Sequence, residues 1–503
     1  MSVSRPNRAM VHSSLLFVLL AVACLPWADL SISAFDPWFE LTRLGAGLLL
    51  PSWPPLSILG AALANTLAFA LQGVALGAGA GLLLAAGYRR GAIRRLAAGL
   101  RAVHELFWAL LFIQLLGISP LTGVLAIALP YAGTFAKVFG ELFEEADPAP
   151  EQALFADSGE KPGWCSRLCF LQLPLCWRQM SSYIGYRLEC GIRSSAVLGF
   201  IGLPTLGYHL ESLLRQGYYA EAASFFYALV LLIATLKWWW RPRLLLAYLA
   251  AALWWLPPQA VFNWPLTVRF FTQDIVPTPL RSGEWGEFLP WLQSLWAEQI
   301  APGLLNTLVL ALLALVVMAV LALLWFPAIS RRFGNRGTRI GSHLGLVLMR
   351  ALPEYLLAFI GTLLLGPSML PAIAALGLHN GAIIAHLLGH HLNSLRFRED
   401  APTGVNLYLF EVLPRLYRPF MAYSLYRFEN LVRETAILGM LGIPTLGFYI
   451  DSAFSEFRLD RAMLLLLVCA ALNMTIDALA RRLRQHLHLS EVQTTASSRP
   501  ALR

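Results

Sequence analysis

Two pairs of arginine and glutamate residues recur at the same spacing within apolar stretches of the sequence. Arg193 follows Glu189 by four residues, and Arg433 follows Glu429 by four residues. A guanidinium group in an apolar environment would attract a tetrahedral oxyanion and bind it through paired N–H donors. Alternatively, each glutamate lies one helical turn away on the same face and neutralises its arginine in a structural ion pair. Residue types and spacing leave both interpretations open.

Two further features of the same segments also have both a functional and a structural interpretation. Arg187 and Arg427 stand six residues before these arginines, and they either line a solute path or extend to the membrane interface. Glycine and proline then break each helix, either as a gate on that path or as an ordinary helix-ending turn. The residues of this break are Gly202, Pro204, Gly442 and Pro444.

These segments belong to an internal duplication of the chain. The string from Tyr186 to Gly207 recurs from Tyr426 to Gly447, with 12 of 22 positions identical at a constant offset of 240 residues. Composition alone would give about one or two identities, so the chain is predicted to be a tandem fusion of two homologous halves. The segment at Leu100 pairs in the same way with that at Met349, at an offset of 249.

The composition predicts a chain that crosses a membrane many times. Of the 503 residues, 57% are apolar and 13% are charged, and the mean hydropathy is +0.61. Because backbone groups in a bilayer must be satisfied within their own element, long apolar runs predict spanning helices and an all-α fold. About twelve runs qualify: 13–29, 58–87, 101–117, 119–140, 179–201, 222–240, 243–257, 304–326, 343–366, 369–390, 418–442 and 461–480.

The distribution of arginine predicts the orientation of the spans. By the positive-inside rule, the loops rich in arginine are cytosolic, which places both chain ends in the cytosol. The arginines that mark this side are Arg5, Arg8, Arg89, Arg90, Arg94, Arg95, Arg241, Arg243, Arg331, Arg332, Arg336, Arg339, Arg481, Arg482 and Arg484. Each half has about six spans, an even number, so the halves share one orientation and a path between them is the expected site.

Five stretches are predicted along the chain. They are an N-terminal span with an outer segment at 1–57, repeat 1 at 58–240, a linking span with an outer segment at 241–303, repeat 2 at 304–485, and a cytosolic tail at 486–503.

With this duplicated block, the chain resembles the phosphonate-type permease family of ABC importers. The family carries an arginine block of this kind that leads into Leu-Gly and a glycine turn, and the likeness extends to Asn65-Thr66-Leu67 and Asn306-Thr307-Leu308. The resemblance implies a type I ABC importer permease fold in the bacterial inner membrane. It also implies import of a small phosphorus oxyanion, such as a phosphonate or phosphite, by alternating access. Most members are separate chains that dimerise, so one copy of this fused chain is expected to form a complete pore.

The resemblance also implies two protein partners. A periplasmic binding protein would deliver the anion, and a separate ATPase dimer would supply the energy, since the chain has no GxxxxGK[ST] phosphate loop. In the family, a cytosolic loop with a Glu-Ala-Ala pattern, a glycine and then Leu-Pro docks on the ATPase. The matching residues are Glu151, Ala153, Gly159, Leu173 and Pro174 in the first half and Gly404, Leu413 and Pro414 in the second. The second loop retains less of the pattern, which predicts unequal coupling.

Other classes of function fit the sequence less well. The net charge of +9 is concentrated at the ends of apolar runs and not on a basic face, which argues against nucleic-acid binding. His386, His390 and His391 lack a cysteine or carboxylate to complete a metal site, and no cofactor is expected. No catalytic constellation is recognisable, so an enzyme is disfavoured. An ABC permease for phosphate or another small solute, and an ion-coupled secondary transporter, remain as alternatives.

Overall fold

The protein is helical throughout the computed structural model, which describes residues 8–147, 149, 150, 152, 163–260, 262–397, 400–487 and 489. No strand occurs within these ranges, which confirms the predicted all-α class. The first eleven α-helices are α1 (Arg8–Cys24), α2 (Pro37–Leu49), α3 (Leu56–Ala85), α4 (Gly91–Ala102), α5 (Glu105–Leu116), α6 (Pro120–Glu145), α7 (Trp164–Arg167), α8 (Leu173–Val197), α9 (Leu206–Arg215), α10 (Tyr219–Trp239) and α11 (Leu245–Trp255). The remaining helices are α12 (Trp264–Arg269), α13 (Thr278–Ser282), α14 (Phe288–Leu295), α15 (Ala301–Trp325), α16 (Arg336–Ala351), α17 (Glu354–Leu365), α18 (Met369–Ser394), α19 (Gly404–Leu407), α20 (Leu413–Ile437), α21 (Leu446–Ser455) and α22 (Leu459–His486).

The helices account for between seven and eleven membrane spans. Among the described residues, seven helices are long and apolar enough to cross a bilayer, and four bent helix pairs raise the number to eleven if each pair is one span. The sequence predicted about twelve. The difference is the predicted span at 243–257, where the structure has a shorter apolar helix over Pro242–Trp255. At 1.5 Å per residue this helix is about 21 Å long, which is less than the ~30 Å hydrocarbon core.

Two sharp bends occur at equivalent places in the two halves. Helices α4 and α5 meet at 88°, and α16 and α17 meet at 96°. Val103 and His104 have extended backbones at the first bend. Pro353 forms the second bend, because proline lacks an N–H donor and restricts Leu352 before it to an extended conformation. The predicted spans at 101–117 and 343–366 are therefore broken helices, and their second limbs are only 12 residues long.

One compact unit comprises Arg43–Phe271, with α3 packed along α6 and α11 against α3. Glycines on α3 allow its backbone to approach α6 closely. A Cβ atom at Gly81 would lie 2.4 Å from the Cβ of Phe135, and one at Gly77 would lie 2.9 Å from the Cβ of Tyr131. Such close backbone contact lets membrane helices associate through van der Waals attraction, because the hydrophobic effect does not drive helices together in lipid.

The other compact unit joins the chain up to Thr42 with the chain from Thr272 onward. Helix α15 packs along α18, as α3 packs along α6, and α1 lies against α15. The Ser14 hydroxyl of α1 is 2.6 Å from the Tyr417 hydroxyl of α20, and the Phe17 ring lies 5.7 Å from the Phe428 ring. The N-terminal helix therefore belongs to the unit built by the second half of the sequence.

Candidate functional site

The predicted glycine turn has the same backbone geometry in both repeats. Short 3-10 turns over Leu198–Ile201 and Leu438–Leu441 follow the long helices α8 and α20. Gly202 ends the first with a φ of +93°, and Gly442 ends the second with a φ of +88°. Other residues rarely adopt this left-handed conformation, so the sequence requires glycine at both positions.

In repeat 1, the turn is held by two side chains from the start of α3. The Asn65 amide donates a hydrogen bond to the carbonyl oxygen of Pro204 at 2.8 Å. The backbone N–H of Leu206, at the start of α9, donates to the buried Thr66 hydroxyl at 2.9 Å. The Asn-Thr pair thus satisfies both a turn carbonyl and an otherwise unpaired helix N–H.

Repeat 2 reproduces these contacts with the equivalent residues. The Asn306 amide donates to the carbonyl oxygen of Pro444 at 2.8 Å, and the N–H of Leu446 donates to the buried Thr307 hydroxyl at 3.1 Å. The two Asn-Thr-Leu strings therefore position the two glycine turns. The predicted residues Pro204 and Pro444 lie within fixed turns of this kind.

The predicted ion pair is present in repeat 1. Arg193 Nη2 is 4.0 Å from Glu189 Oε1, and the same nitrogen lies 3.4 Å from Cys190 Sγ. The Glu189 side chain is 28% exposed, so this pair is loose and partly open. Both side chains extend from the last third of α8.

In repeat 2, the equivalent glutamate forms an ion pair with a different helix. Arg484, near the end of α22, places its Nη1 2.5 Å from Glu429 Oε1. Each of these side chains is only 8% exposed. Repeat 1 has no arginine in this role, because position 244, which is equivalent to 484 at the offset of 240, is a leucine.

A buried polar cluster surrounds the bend between α4 and α5. The Ser194 hydroxyl of α8 donates to Glu105 Oε1 at 2.6 Å and lies 3.3 Å from the Tyr131 hydroxyl of α6. His104 caps α5 by accepting the N–H of Leu106, and its Nε2 is 3.5 Å from Glu105 Oε2. We call Glu105, Tyr131, Arg187 and Ser194 the repeat 1 cluster.

Arg187 in this cluster is surrounded by tyrosines. Its guanidinium carbon lies 5.3 Å from the ring centre of Tyr183, 5.6 Å from that of Tyr131 and 5.8 Å from that of Tyr186. Its Nε donates to the Tyr183 hydroxyl at 2.8 Å. Aromatic faces stabilise a cation but leave its charge in place.

The equivalent cluster in repeat 2 has a different composition. The Asn380 amide of α18 donates to Glu434 Oε2 at 2.9 Å, and Arg427 Nη1 donates to Asn380 Oδ1 at 3.4 Å. The carboxylate of Glu434 also lies within electrostatic range of Glu354, Arg427 and Arg433. His379 Nε2 is 3.6 Å from Glu354 Oε2. We call Glu354, Asn380, Arg427 and Glu434 the repeat 2 cluster.

The residues predicted to couple to an ATPase lie beside π-helical turns. Leu173 and Pro174 begin α8 directly after a π turn over Leu168–Gln172. Leu413 and Pro414 begin α20 after the equivalent π turn, and Gly404 (φ +64°) begins α19. The wider turn accommodates a proline that cannot donate to the helix. The remaining predicted residues, Glu151, Ala153 and Gly159, lie outside the described residues.

The two clusters include residues that sequence reasoning missed. The sequence alone favours Glu105 and Glu354 as members of ion pairs at helix starts, and it does not single out Tyr131 or Asn380. One signal was visible, since Ser194 and Glu434 are equivalent positions that differ in charge within an otherwise similar block. The bends that bring these side chains together could not be located from hydropathy.

Two of the three histidines considered in the sequence, His386 and His390, lie together on α18 beside His343 of α16. The His386 ring centre is 4.6 Å from that of His390 and 5.7 Å from that of His343. No group of three or more histidine, cysteine, aspartate or glutamate side chains with metal-binding geometry occurs in the part of the chain that the structure describes.

Comparisons with known proteins identify relatives along most of the chain. The chain is 24% identical over 420 residues to the phosphate-import permease protein PhnE of Mycolicibacterium smegmatis, covering 77% of this chain and 76% of that protein. It is 35% identical over 134 residues to the phosphite transport system permease protein PtxC of Stutzerimonas stutzeri, covering 27% of this chain and 48% of that protein. No protein-family model matches the chain, and neither does any solved structure.

A third relative covers only part of the chain but nearly all of itself. The putative cryptic phosphonate transport system permease protein PhnE2 of Escherichia coli is 30% identical over 121 residues, covering 22% of this chain and 97% of that protein. The helices and the repeats define a multi-pass membrane permease. The chain belongs to the phosphonate-type permease family, as the duplicated block predicted. It is a transport subunit of a multi-component system and not an enzyme.

Proposed function

We propose that this chain moves a small phosphorus oxyanion across the bacterial inner membrane. The observation that carries the proposal is Arg187, an arginine within the long helix α8 of repeat 1, with Arg427 at the equivalent position of α20. Ionisable groups at such positions are costly unless they serve a solute path or a partner, and guanidinium groups suit tetrahedral oxyanions. The printed names of the relatives refer to phosphate, phosphite and phosphonate transport, which supports this class of substrate.

The proposal includes the remaining residues predicted for the path. Arg193 and Arg433 stand between one and two helical turns after these arginines on α8 and α20, and Glu189 and Glu429 lie between them. Gly202, Pro204, Gly442 and Pro444 form turns with identical hydrogen bonding in the two repeats. A turn that is fixed by buried polar contacts can transmit movement between the helices that it joins.

The energy would come from a separate ATPase dimer, and the anion from a periplasmic binding protein. The family membership supports both partners, and both chain ends would be cytosolic. The coupling surface would include Leu173, Pro174, Leu413 and Pro414, with Gly404 and the segment that contains Glu151, Ala153 and Gly159. Because the second loop keeps less of the pattern, we expect the two docking sites to couple unequally.

The test is uptake of labelled methylphosphonate, phosphite and phosphate. Cells that lack their own systems would express the chain with the ATPase and binding protein of its transport system. We expect uptake of one of these anions, and we expect it to disappear when the phosphate-loop lysine of the ATPase is replaced. Uptake that persists with the inactive ATPase would instead indicate a secondary transporter, and absence of uptake of all three anions by a folded complex would reject the substrate class.

Phosphate is the second candidate substrate. The M. smegmatis relative, of which 76% is matched by this chain, is named for phosphate import. Preference for phosphate over methylphosphonate and phosphite in the same cells would select it.

A further inference from the structure

The arginines at equivalent positions of the two repeats have different surroundings. Residue pairs related by the offsets of 240 and 249 show where the clusters diverge. Arg187 corresponds to Arg427, and Ser194 corresponds to Glu434 at the first offset. At the second offset, Tyr131 corresponds to Asn380. Equivalent positions of the two repeats therefore carry different side chains around the same arginine.

Among the residues that the structure describes, Arg187 has no carboxylate in direct contact with its guanidinium group. Within the described residues, no carboxylate oxygen lies within 4.0 Å of its guanidinium nitrogens, and its hydrogen bond goes to the neutral Tyr183 hydroxyl at 2.8 Å. Three tyrosine rings within 5.8 Å stabilise the cation through their faces. The side chain is half-buried, and its two terminal nitrogens donate to no acceptor among the described residues.

Arg427 likewise has no carboxylate oxygen within 4.0 Å among the described residues, but a hydrogen bond ties it into a network of protein groups. Its Nη1 donates to Asn380 at 3.4 Å, and Asn380 donates to Glu434 at 2.9 Å. The Glu434 carboxylate attracts the guanidinium electrostatically. An anion at this position would compete with a carboxylate that the protein itself supplies.

The carboxylates of the two clusters are arranged differently. In the repeat 1 cluster, Glu105 is the one carboxylate, and Ser194 stands where repeat 2 has Glu434. In the repeat 2 cluster, Glu434 lies within electrostatic range of Glu354, with Arg427 and Arg433 as the compensating cations. In a low-dielectric environment, an additional carboxylate near an arginine weakens the binding of an anion there.

A second observation also distinguishes the two repeats. Glu429 of repeat 2 is sequestered with Arg484, and both side chains are 8% exposed, whereas Glu189 of repeat 1 remains 28% exposed. The Glu429 carboxylate of repeat 2 is therefore held in a buried ion pair within the protein, whereas Glu189 is not.

From these contacts, and on the basis of the proposed function, we propose that the transported oxyanion is contacted by Arg187 of repeat 1. Arg427 has become a structural residue. The terminal nitrogens of Arg187 can donate two parallel hydrogen bonds to two oxygens of a tetrahedral anion. Only one of the two equivalent arginines would thus contact the anion in this fused chain.

The experiment compares Arg187→Gln with the matched variant Arg427→Gln in the complete transport system. Uptake is measured as a function of anion concentration, with folded protein in the membrane quantified for each variant. We expect Arg187→Gln to raise the KM for uptake by about tenfold or more, as loss of a charged hydrogen-bonding pair predicts. Arg427→Gln should leave KM within about twofold and act only through the amount of folded protein. Equal KM effects, or a larger effect at Arg427, would overturn the proposal.

A second pair of variants tests the charge difference directly. Ser194→Glu adds to repeat 1 the carboxylate that repeat 2 has, and Glu434→Ser removes it from repeat 2. We expect Ser194→Glu to raise KM and Glu434→Ser to leave it unchanged. If Arg187→Gln does not fold, Arg187→Lys takes its place and should raise KM less than tenfold, because it keeps the charge but not the paired donors.

The outcomes for the inference and for the proposed function are separate. If the unaltered system takes up none of the three anions, the proposed substrate class fails. If it does take up one of them and the Arg187 variants show an unchanged KM, only the assignment to Arg187 fails.

Discussion

At the residue scale, the two equivalent glutamates of the duplicated block, Glu189 and Glu429, form ion pairs with arginines on different helices. Glu189 lies 4.0 Å from Arg193 in its own helix, whereas Glu429 meets Arg484 of another helix at 2.5 Å. Spacing alone left two interpretations open for both, and the structural one was a pair with the arginine four residues later. Because the Glu429–Arg484 pair is buried, its two charges depend on each other far more than an exposed pair does.

Removing one member of this buried pair should be destabilising. Arg484→Gln leaves the Glu429 carboxylate without its partner, and we expect a loss of about 3–5 kcal/mol in the free energy of unfolding. The measurement is thermal unfolding of the purified protein in detergent. The double variant Glu429→Gln with Arg484→Gln should recover part of the loss, since it removes both charges.

The matched control is the exposed pair of Arg458 and Glu456, which are 3.2 Å apart with side chains 51% and 59% exposed. Arg458→Gln should change stability by less than about 1 kcal/mol because solvent screens the pair. A loss at Arg484 no larger than that at Arg458 would show that the buried pair does not stabilise the fold.

At the scale of secondary-structure elements, small residues determine how closely the long helices pack against each other. Glycines on α3 permit the contact with α6, and the same contact in repeat 2 places glycine on α18 instead. A Cβ at Gly377 would lie 2.5 Å from Val317 of α15. The helix contact is therefore present in both repeats, although the glycine that allows the close approach is not at the same position. A glycine on either helix permits such an approach.

Gly81→Ala should disrupt the contact between α3 and α6. Its new Cβ would lie 2.4 Å from the Cβ of Phe135 and 3.0 Å from the carbonyl oxygen of Ala132, so the helices must move apart. We expect a loss of about 1–3 kcal/mol, as overpacking typically gives. Folded yield by size-exclusion chromatography and the Tm in detergent are the measurements.

Gly79→Ala is the control on the same helix. A Cβ there would meet nothing within 4 Å, and alanine has the higher helix propensity. Its Tm should be unchanged or slightly higher. If both variants lowered the Tm equally, the close approach at Gly81 would not be the cause.

The whole molecule carries both halves of a permease in one chain. The E. coli relative is matched over 97% of its own length but corresponds to only 22% of this chain. Each compact unit contains a bent helix pair, a glycine turn and a polar cluster of its own. We expect the duplication to supply within one chain what two separate chains would supply by dimerising.

One copy of the chain should therefore assemble with two ATPase subunits. We expect native mass spectrometry of the purified complex to give one permease chain for each ATPase dimer. A complex with two permease chains would contradict the prediction that a single fused chain forms the pore. The ATPase purified alone provides the reference mass.

Hydropathy was sufficient to predict the all-α class and the membrane location, and the resemblance carried by the repeated block gave the permease family. These properties are local, since a helix in a bilayer satisfies its own backbone and a repeat is visible by direct comparison. The glycines of the turns were also predictable, because their left-handed conformation restricts the residue type.

Only the tertiary structure decided which distant side chains meet. The bends at Val103–His104 and Pro353 interrupt apolar runs that look continuous in hydropathy, and they bring Glu105 toward Ser194 and Glu354 toward His379. Packing likewise decided that α1 joins the unit of the second half and that Arg484 pairs with Glu429. Such pairings depend on contacts across tens or hundreds of residues, and no periodicity within one segment records them.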